Sequence, residues 1–190
     1  MPRTRKSLAS KLPAAIVARA RKIRLLLLDV DGVLTNGLVC LQGFPDGTVQ
    51  ELKLFHSQDG AGLTMARDAG LRTGVITGRD STALTRRAKE TGMEFVYQGR
   101  AEKIPAYEEI LRVAGVEDSE VAYAGDDLPD LPVLRRVGLA VAVANAVPEV
   151  KRAAHLVTKH SGGDGAVREI IELILKAQGK WDAAAAHAKA

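Results

Sequence analysis

A chain of 190 residues, 46% hydrophobic and 26% charged, is the size of one globular domain able to bury its own core, and it leaves no room for a second large one. The net charge of +4 is set by the first 24 residues, which hold eight basic groups and no acidic one; residues 25–190 carry 19 basic against 23 acidic groups, net −4, and only 4% of the chain is aromatic, so no nucleic-acid partner is expected. Aliphatic runs such as Leu25 to Leu28 are far short of the ~20 apolar residues of a membrane span, so no membrane partner is expected either, and a single Cys40 cannot form an internal disulfide, which points to a reducing, cytoplasmic setting.

Residues 1–22 read as a basic leader without the apolar segment of a secretory signal, with Leu12, Ile16 and Val17 on one face of a short helix entering the domain. The domain itself is expected over 23–178. Ile23 to Val30 is apolar at almost every position, as a central parallel strand covered on both faces must be. Leu38 to Leu41 and Thr48 to Phe55 flank Gly43-Phe44-Pro45-Asp46-Gly47 and predict a hairpin rather than a strand–helix unit. Helices are expected over Gly60 to Asp68, Ser81 to Glu90, Lys103 to Val113 and Leu128 to Val137. They alternate with strands over Arg72 to Thr77, Glu94 to Tyr97, Glu120 to Ala124 and Gly138 to Val143. A last amphipathic helix, Val167 to Ala177, is stopped by Gly179, and 179–190 form an Ala-rich tail that is either a frayed helix or a docking segment. Strand–helix alternation of this kind predicts an α/β fold with a doubly wound, mainly parallel sheet and a β-hairpin flap, with ligands at the carboxyl ends of the strands.

Polar residues gather at those ends. Asp29-Val30-Asp31-Gly32 closes the first strand with two carboxylates two residues apart, whose joint burial demands a cation; oxygen ligation suits Mg²⁺. Alone, such a stretch is as readily a solvated Asp-Gly turn. Thr77 and Gly78 close the next strand with a hydroxyl and an amide suited to phosphate oxygens, Lys103 offers a point charge to the same anion, and Asp126, Asp127 and Asp130 close a further strand. Each has an ordinary explanation as a helix cap, a solvated lysine or a partner of a helix dipole. Acid, hydroxyl, lysine and acid at successive strand ends are together rare by chance. A carboxylate attacks phosphorus, a metal cancels its repulsion with the phosphoryl oxygens, Lys103 and Thr77 stabilise the charge, and a second acid, Asp31, serves the leaving group and then water.

The same residues resemble the haloacid dehalogenase superfamily of phosphatases, whose pattern runs DxD, then Ser or Thr, then Lys, then GDDxxD, and the resemblance covers nearly the whole chain after the leader. It implies that Asp29 is the nucleophile, Asp31 the acid/base, and Asp29, Asp31 and Asp126 the residues around the metal. Thr77, Gly78 and Lys103 would bind phosphate, with Asp127 and Asp130 supporting from behind. Asp29 to Gly37, Gln58 to Gly62, Gly125 to Leu131, Gly162 to Glu169 and Ala177 to Lys180 resemble more closely the branch that acts on 3-deoxy-D-manno-octulosonate 8-phosphate, a small phosphorylated sugar acid. Asn36, where that branch commonly has Asp, and Asp164, where a basic residue is frequent, depart from its pattern.

Length supports a subclass without a cap domain. Gly37 to Phe55 holds only a hairpin, and Thr77 to Lys103 only one helix and one strand, so the site of a lone subunit is expected to be open. A neighbouring subunit is the economical cover, and the resemblance implies a homotetramer with the hairpin reaching across. Three other readings compete: a phosphatase for another keto-sugar acid phosphate, a phospho-receiver module built on clustered Asp, Thr and Lys, and a non-catalytic binding domain of the same fold.

Overall fold

The computed structural model describes residues 13–187. The four leucines Leu25–Leu28 form β1 with every side chain fully buried, because β1 pairs in parallel with β4 (Arg72–Ile76) on one side and β6 (Val121–Gly125) on the other while helices cover both faces. With β5 (Phe95–Tyr97), β7 (Leu139–Ala142) and β8 (Leu156–Val157) they make one six-stranded parallel sheet in the order β5-β4-β1-β6-β7-β8. The chain moves outward from β1 through β4 to β5, then crosses back to β6. The order therefore reverses beside β1, and the crevice at its carboxyl end is where such sheets hold ligands.

The predicted hairpin is present as β2 (Cys40–Gly43) and β3 (Val49–Leu52), antiparallel from Cys40↔Leu52 to Gly43↔Val49 and separate from the main sheet. The first strand lies two residues later than the apolar pattern implies and the second is four residues instead of eight, because neither packs on the core: all of Cys40–Gly43 is exposed. Asp46 shapes the turn by accepting from the Thr48 amide at 3.0 Å and the Thr48 hydroxyl at 2.7 Å. There is no cap domain among the described residues.

Helices α1 (Ala14–Lys22), α2 (Ser57–Asp68), α3 (Thr82–Thr91), α4 (Lys103–Ala114) and α7 (Ala166–Ala177) lie close to the predicted spans. Helix α1 buries Ile16 and Ala20 and leaves Val17 half-buried, whereas Leu12 lies outside the described residues. The single helix expected over Leu128 to Val137 is instead a 3-10 turn, Leu128–Asp130, followed by one turn of α-helix, α5 (Leu131–Leu134). Pro129 and Pro132 lack the amides a continuous helix would use there. Three short elements escaped prediction: a 3-10 turn, Asp118–Glu120, α6 (Pro148–Ala153), a helix of six residues, and β8, a strand of two, all too short to show a periodicity. Helix α8 (Trp181–His187) packs on α2 and α7, and Trp181 lies against the Arg168 guanidinium and Lys176 ammonium, 5.1 and 4.8 Å from its ring centroid.

Candidate active site

Asp29 is the residue at which β1 stops being a strand. Its amide still donates to Ala124 of β6 at 3.0 Å, and then the chain turns over itself, with the amides of Leu34 and Thr35 both donating to Val30. Gly32 in this turn has φ +92°, and a Cβ there would lie 2.0 Å from Asp126 Oδ2, so only glycine lets the turn close against that carboxylate. Continuing the register Leu28↔Val75 and Leu28↔Ala124 by two residues sets Thr77 and Asp126 level with each other on either side of Val30. Parallel pairing thus gathers at one sheet edge residues separated by nearly a hundred positions.

Four of the predicted residues meet. Lys103, on the first turn of α4 and almost wholly buried, donates to Asp29 Oδ1 at 2.7 Å and to Asp130 Oδ1 at 2.6 Å. Carboxylate oxygens of Asp29, Asp126 and Asp130 lie within 4.8 Å of one another. Asp130 is fully engaged: Oδ1 also accepts from the Tyr123 hydroxyl at 2.7 Å, and Oδ2 accepts from the amides of Asp126 and Asp127 at 2.9 and 3.2 Å. Its carboxylate therefore fixes both Lys103 and the loop that carries Asp126. Asp127 turns outward and caps the Leu128 amide at 2.8 Å.

Asp31 is placed differently. Its carboxylate is not in the cluster but pairs with Lys53, just after β3, with Arg79 Nε 3.8 Å away; Lys53 and Arg79 also grip Glu51 at 3.0 and 3.2 Å. Thr77 is buried at the end of β4, its hydroxyl 3.4 Å from the Arg79 amide, and Gly78 beside it is exposed. Lys53, Tyr123 and Asn145 went unread in the sequence. Asn145, just past β7, follows the same rule as the others, a polar residue after a strand end. Tyr123 looks like any core aromatic, and Lys53 like any hairpin lysine.

Three acids and one lysine in so small a space are electrostatically unbalanced. Burial, with the charge of Asp130 adding and that of Lys103 opposing, raises Asp29 to about 6. Asp126 is raised to about 7 by burial and then by the charges of Asp29, Asp130 and Asp127. Burial works against the Lys103 charge, but Asp29 and Asp130 outweigh it and hold the ammonium above its ordinary range. Burial drives Tyr123 well up, so its hydroxyl stays a donor. Asp126 Oδ1 is buried with no hydrogen-bond partner. An unpartnered carboxylate oxygen beside two further carboxylates is what a hard divalent cation satisfies, so the donor set fits Mg²⁺.

Residues 77–170 match the model of the haloacid dehalogenase-like hydrolases. The chain is 43% identical over 171 residues to the 3-deoxy-D-manno-octulosonate 8-phosphate phosphatase of Escherichia coli K12, covering 90% of this chain and 89% of that one. It belongs to the haloacid dehalogenase-like hydrolases, in the branch of that phosphatase. Solved structures in the branch agree. The phosphatase of Yersinia pestis superposes with a TM-score of 0.85 at 43% identity, covering 90% of both chains. That of Moraxella catarrhalis, in complex with magnesium, phosphate and the octulosonate, superposes with a TM-score of 0.84 at 41% identity, covering 90% of this chain and 97% of that one. Haloacid dehalogenase-like hydrolases are named for hydrolysis, and here the chain's own acids stand where the sheet order reverses.

Proposed function

We propose that this chain is a Mg²⁺-dependent phosphatase that hydrolyses 3-deoxy-D-manno-octulosonate 8-phosphate to the free sugar acid and inorganic phosphate. The observation that carries the reading is the buried meeting of Lys103 with Asp29 beside Asp126 and Asp130, in a chain 43% identical to such a phosphatase over 90% of its length. Asp29 attacks phosphorus; the bond from phosphorus to the sugar oxygen breaks, the leaving alkoxide takes a proton from Asp31, and the phosphoryl group is left on the Asp29 carboxylate. Asp31 then takes a proton from water as that water attacks phosphorus, which restores Asp29 and frees phosphate. Asp29 and Asp126, with Asp31 in the same turn as Asp29, would hold Mg²⁺, and the ion would supply positive charge to offset repulsion between the anionic nucleophile and the phosphoryl oxygens. Lys103 serves the same end from within the protein, while Thr77 and the Gly78 amide bind phosphoryl oxygens. Asp127 and Asp130 shape the loop that presents Asp126.

Phosphate release from the sugar phosphate in the presence of Mg²⁺, beside a panel of other sugar phosphates, tests the reading. Preferential release from the octulosonate ester is expected; release from none of them overturns it.

The same proposal includes assembly and location. Seven of the eleven exposed large apolar side chains among the described residues lie between Leu38 and Leu54, on and around the hairpin, which supports a homotetramer formed through that flap. No helix among the described residues is long and apolar enough to cross a membrane, and exposed Cys40 is a free thiol, in keeping with a cytoplasmic enzyme.

A further inference from the structure

The loop after β7 approaches the reacting groups without contributing a charge. At one end the Val147 amide donates to the Asp126 carbonyl at 2.8 Å, so this loop is tied to the backbone of the residue that carries the unpartnered buried oxygen. In its middle, Asn145 spreads its side-chain amide between two other loops. Nδ2 donates to the Gly32 carbonyl at 2.9 Å, and Oδ1 accepts from the Gly162 amide at 2.6 Å. Gly32 in turn lies against the Asp126 carboxylate, too close for any Cβ. A closed circuit results: Asp126 backbone, Val147, Asn145, Gly32, and back to the Asp126 carboxylate. The Gly162 leg braces it from outside, because the Gly163 amide also donates to Val33, at 3.1 Å.

Asp29, just ahead of the Gly32 turn, brings a carboxylate oxygen within 4.8 Å of one on Asp126, and its charge raises the cost of ionising Asp126. Asp29 is still held to β6 by its amide bond to Ala124, but the turn after it and Asp126 itself lie on loops, so the spacing between that turn and Asp126 depends on cross-links as well as on sheet pairing. The link between the Gly32 turn and the β7 loop that carries Val147 runs through one amide group. Asn is suited to it, since the amide offers a donor and an acceptor at once and brings no charge to a site already rich in acid.

We propose that Asn145 is a positioning residue that fixes the spacing between the Asp29–Gly32 turn and Asp126, and through it the affinity of the acidic cluster for its divalent cation. This rests on the phosphatase reading above, but its test does not depend on turnover. Asn145 is itself exposed, so its replacement leaves the core intact, and helix α6 offers a matched control in exposed Glu149.

Mg²⁺ alone is titrated calorimetrically into wild type, Asn145→Ala, Asn145→Leu and Glu149→Ala, with the melting temperature of each metal-free protein recorded. Both Asn145 variants are expected to melt close to wild type yet bind Mg²⁺ about tenfold or more weakly, the usual scale for residues that orient metal ligands, with Glu149→Ala unchanged. Turnover at limiting Mg²⁺ is expected to fall in parallel and to recover partly when Mg²⁺ is raised. Mg²⁺ affinity within about twofold of wild type in both Asn145 variants overturns the proposal, as does a lower metal-free melting temperature with unchanged affinity, which marks a merely structural bond. A wild type that binds Mg²⁺ but releases phosphate from no sugar ester defeats the phosphatase reading and leaves this one standing.

Discussion

At the scale of single residues, the site depends on charge that the protein alone does not balance. Asp29→Asn keeps the shape of the carboxylate and its place beside Lys103 but removes the attacking charge; turnover is expected to fall on the order of 10³-fold or more while the melting temperature holds, and near-normal steady-state activity would end the nucleophile assignment. Asp31→Asn is expected to be severe for the sugar ester, whose alkoxide leaves poorly, and mild for a nitrophenyl ester that needs no proton. Equal losses on both would make Asp31 a partner of Lys53 and nothing more. Asp126 gives a pH dependence. Its pKa of about 7 lies above the unfolded value of 3.8, so the metal-free native state holds its proton more tightly than the unfolded chain does. Stability from this group is therefore full below 3.8 and is lost as pH rises towards 7. A bound cation prefers the ionised form and reverses that loss. The rise in melting temperature produced by Mg²⁺ is thus expected to be larger at about pH 8 than at about pH 5 and absent in Asp126→Asn; a rise independent of pH would contradict the coupling.

At the scale of elements, the acids and the lysine proposed for catalysis are legible in sequence because each stands at a strand end or first helical turn, and the buried strands announce themselves by unbroken apolar runs. What holds those ends together is less legible, because a polar bridge between loops has no periodicity. Asn145 and Tyr123 acquire their meaning only from neighbours distant in the chain. The two-residue β8 and the six-residue α6 are likewise set by packing beside β7 rather than by any pattern of their own. Asp31 shows the opposite limit: DxD spacing places both acids after β1, yet Lys53 from the hairpin draws one of them away from the cluster. Close loop packing also predicts an outcome. A Cβ at Gly162 would sit 1.7 Å from the Gly32 carbonyl oxygen, backbone against backbone, so Gly162→Ala forces the two loops apart. A stability loss of about 1–3 kcal/mol in denaturant melts is expected, with weakened Mg²⁺ binding beside it. A variant as stable as wild type would mean that these loops are not rigidly packed.

At the scale of the whole molecule, the acidic cluster lies at the carboxyl ends of the strands, and among the described residues a two-stranded hairpin rather than a cap domain follows β1. Lys53, just past this hairpin, pairs with Asp31 at that end, and Leu38, Leu41, Val49 and Leu54, on and around the hairpin, are each at least 60% exposed. Apolar side chains so placed gain by burial against another surface, and repeated copies of this chain are the surface always at hand. Lys53, which pairs with Asp31, belongs to the same segment, so in the proposed assembly a contact at the flap would bear on that acid. Leu41→Asp puts a charge on the flap without touching Asp29, Thr77, Lys103 or Asp126, all of which lie in one subunit. Smaller species are expected by light scattering, and activity on the sugar phosphate is expected to fall further than activity on a small phosphate ester, because only the larger substrate needs walls beyond the phosphate site. If Leu41→Asp yields a monomer that still prefers the sugar ester as strongly as wild type, one subunit carries the whole of the specificity and the flap serves assembly alone.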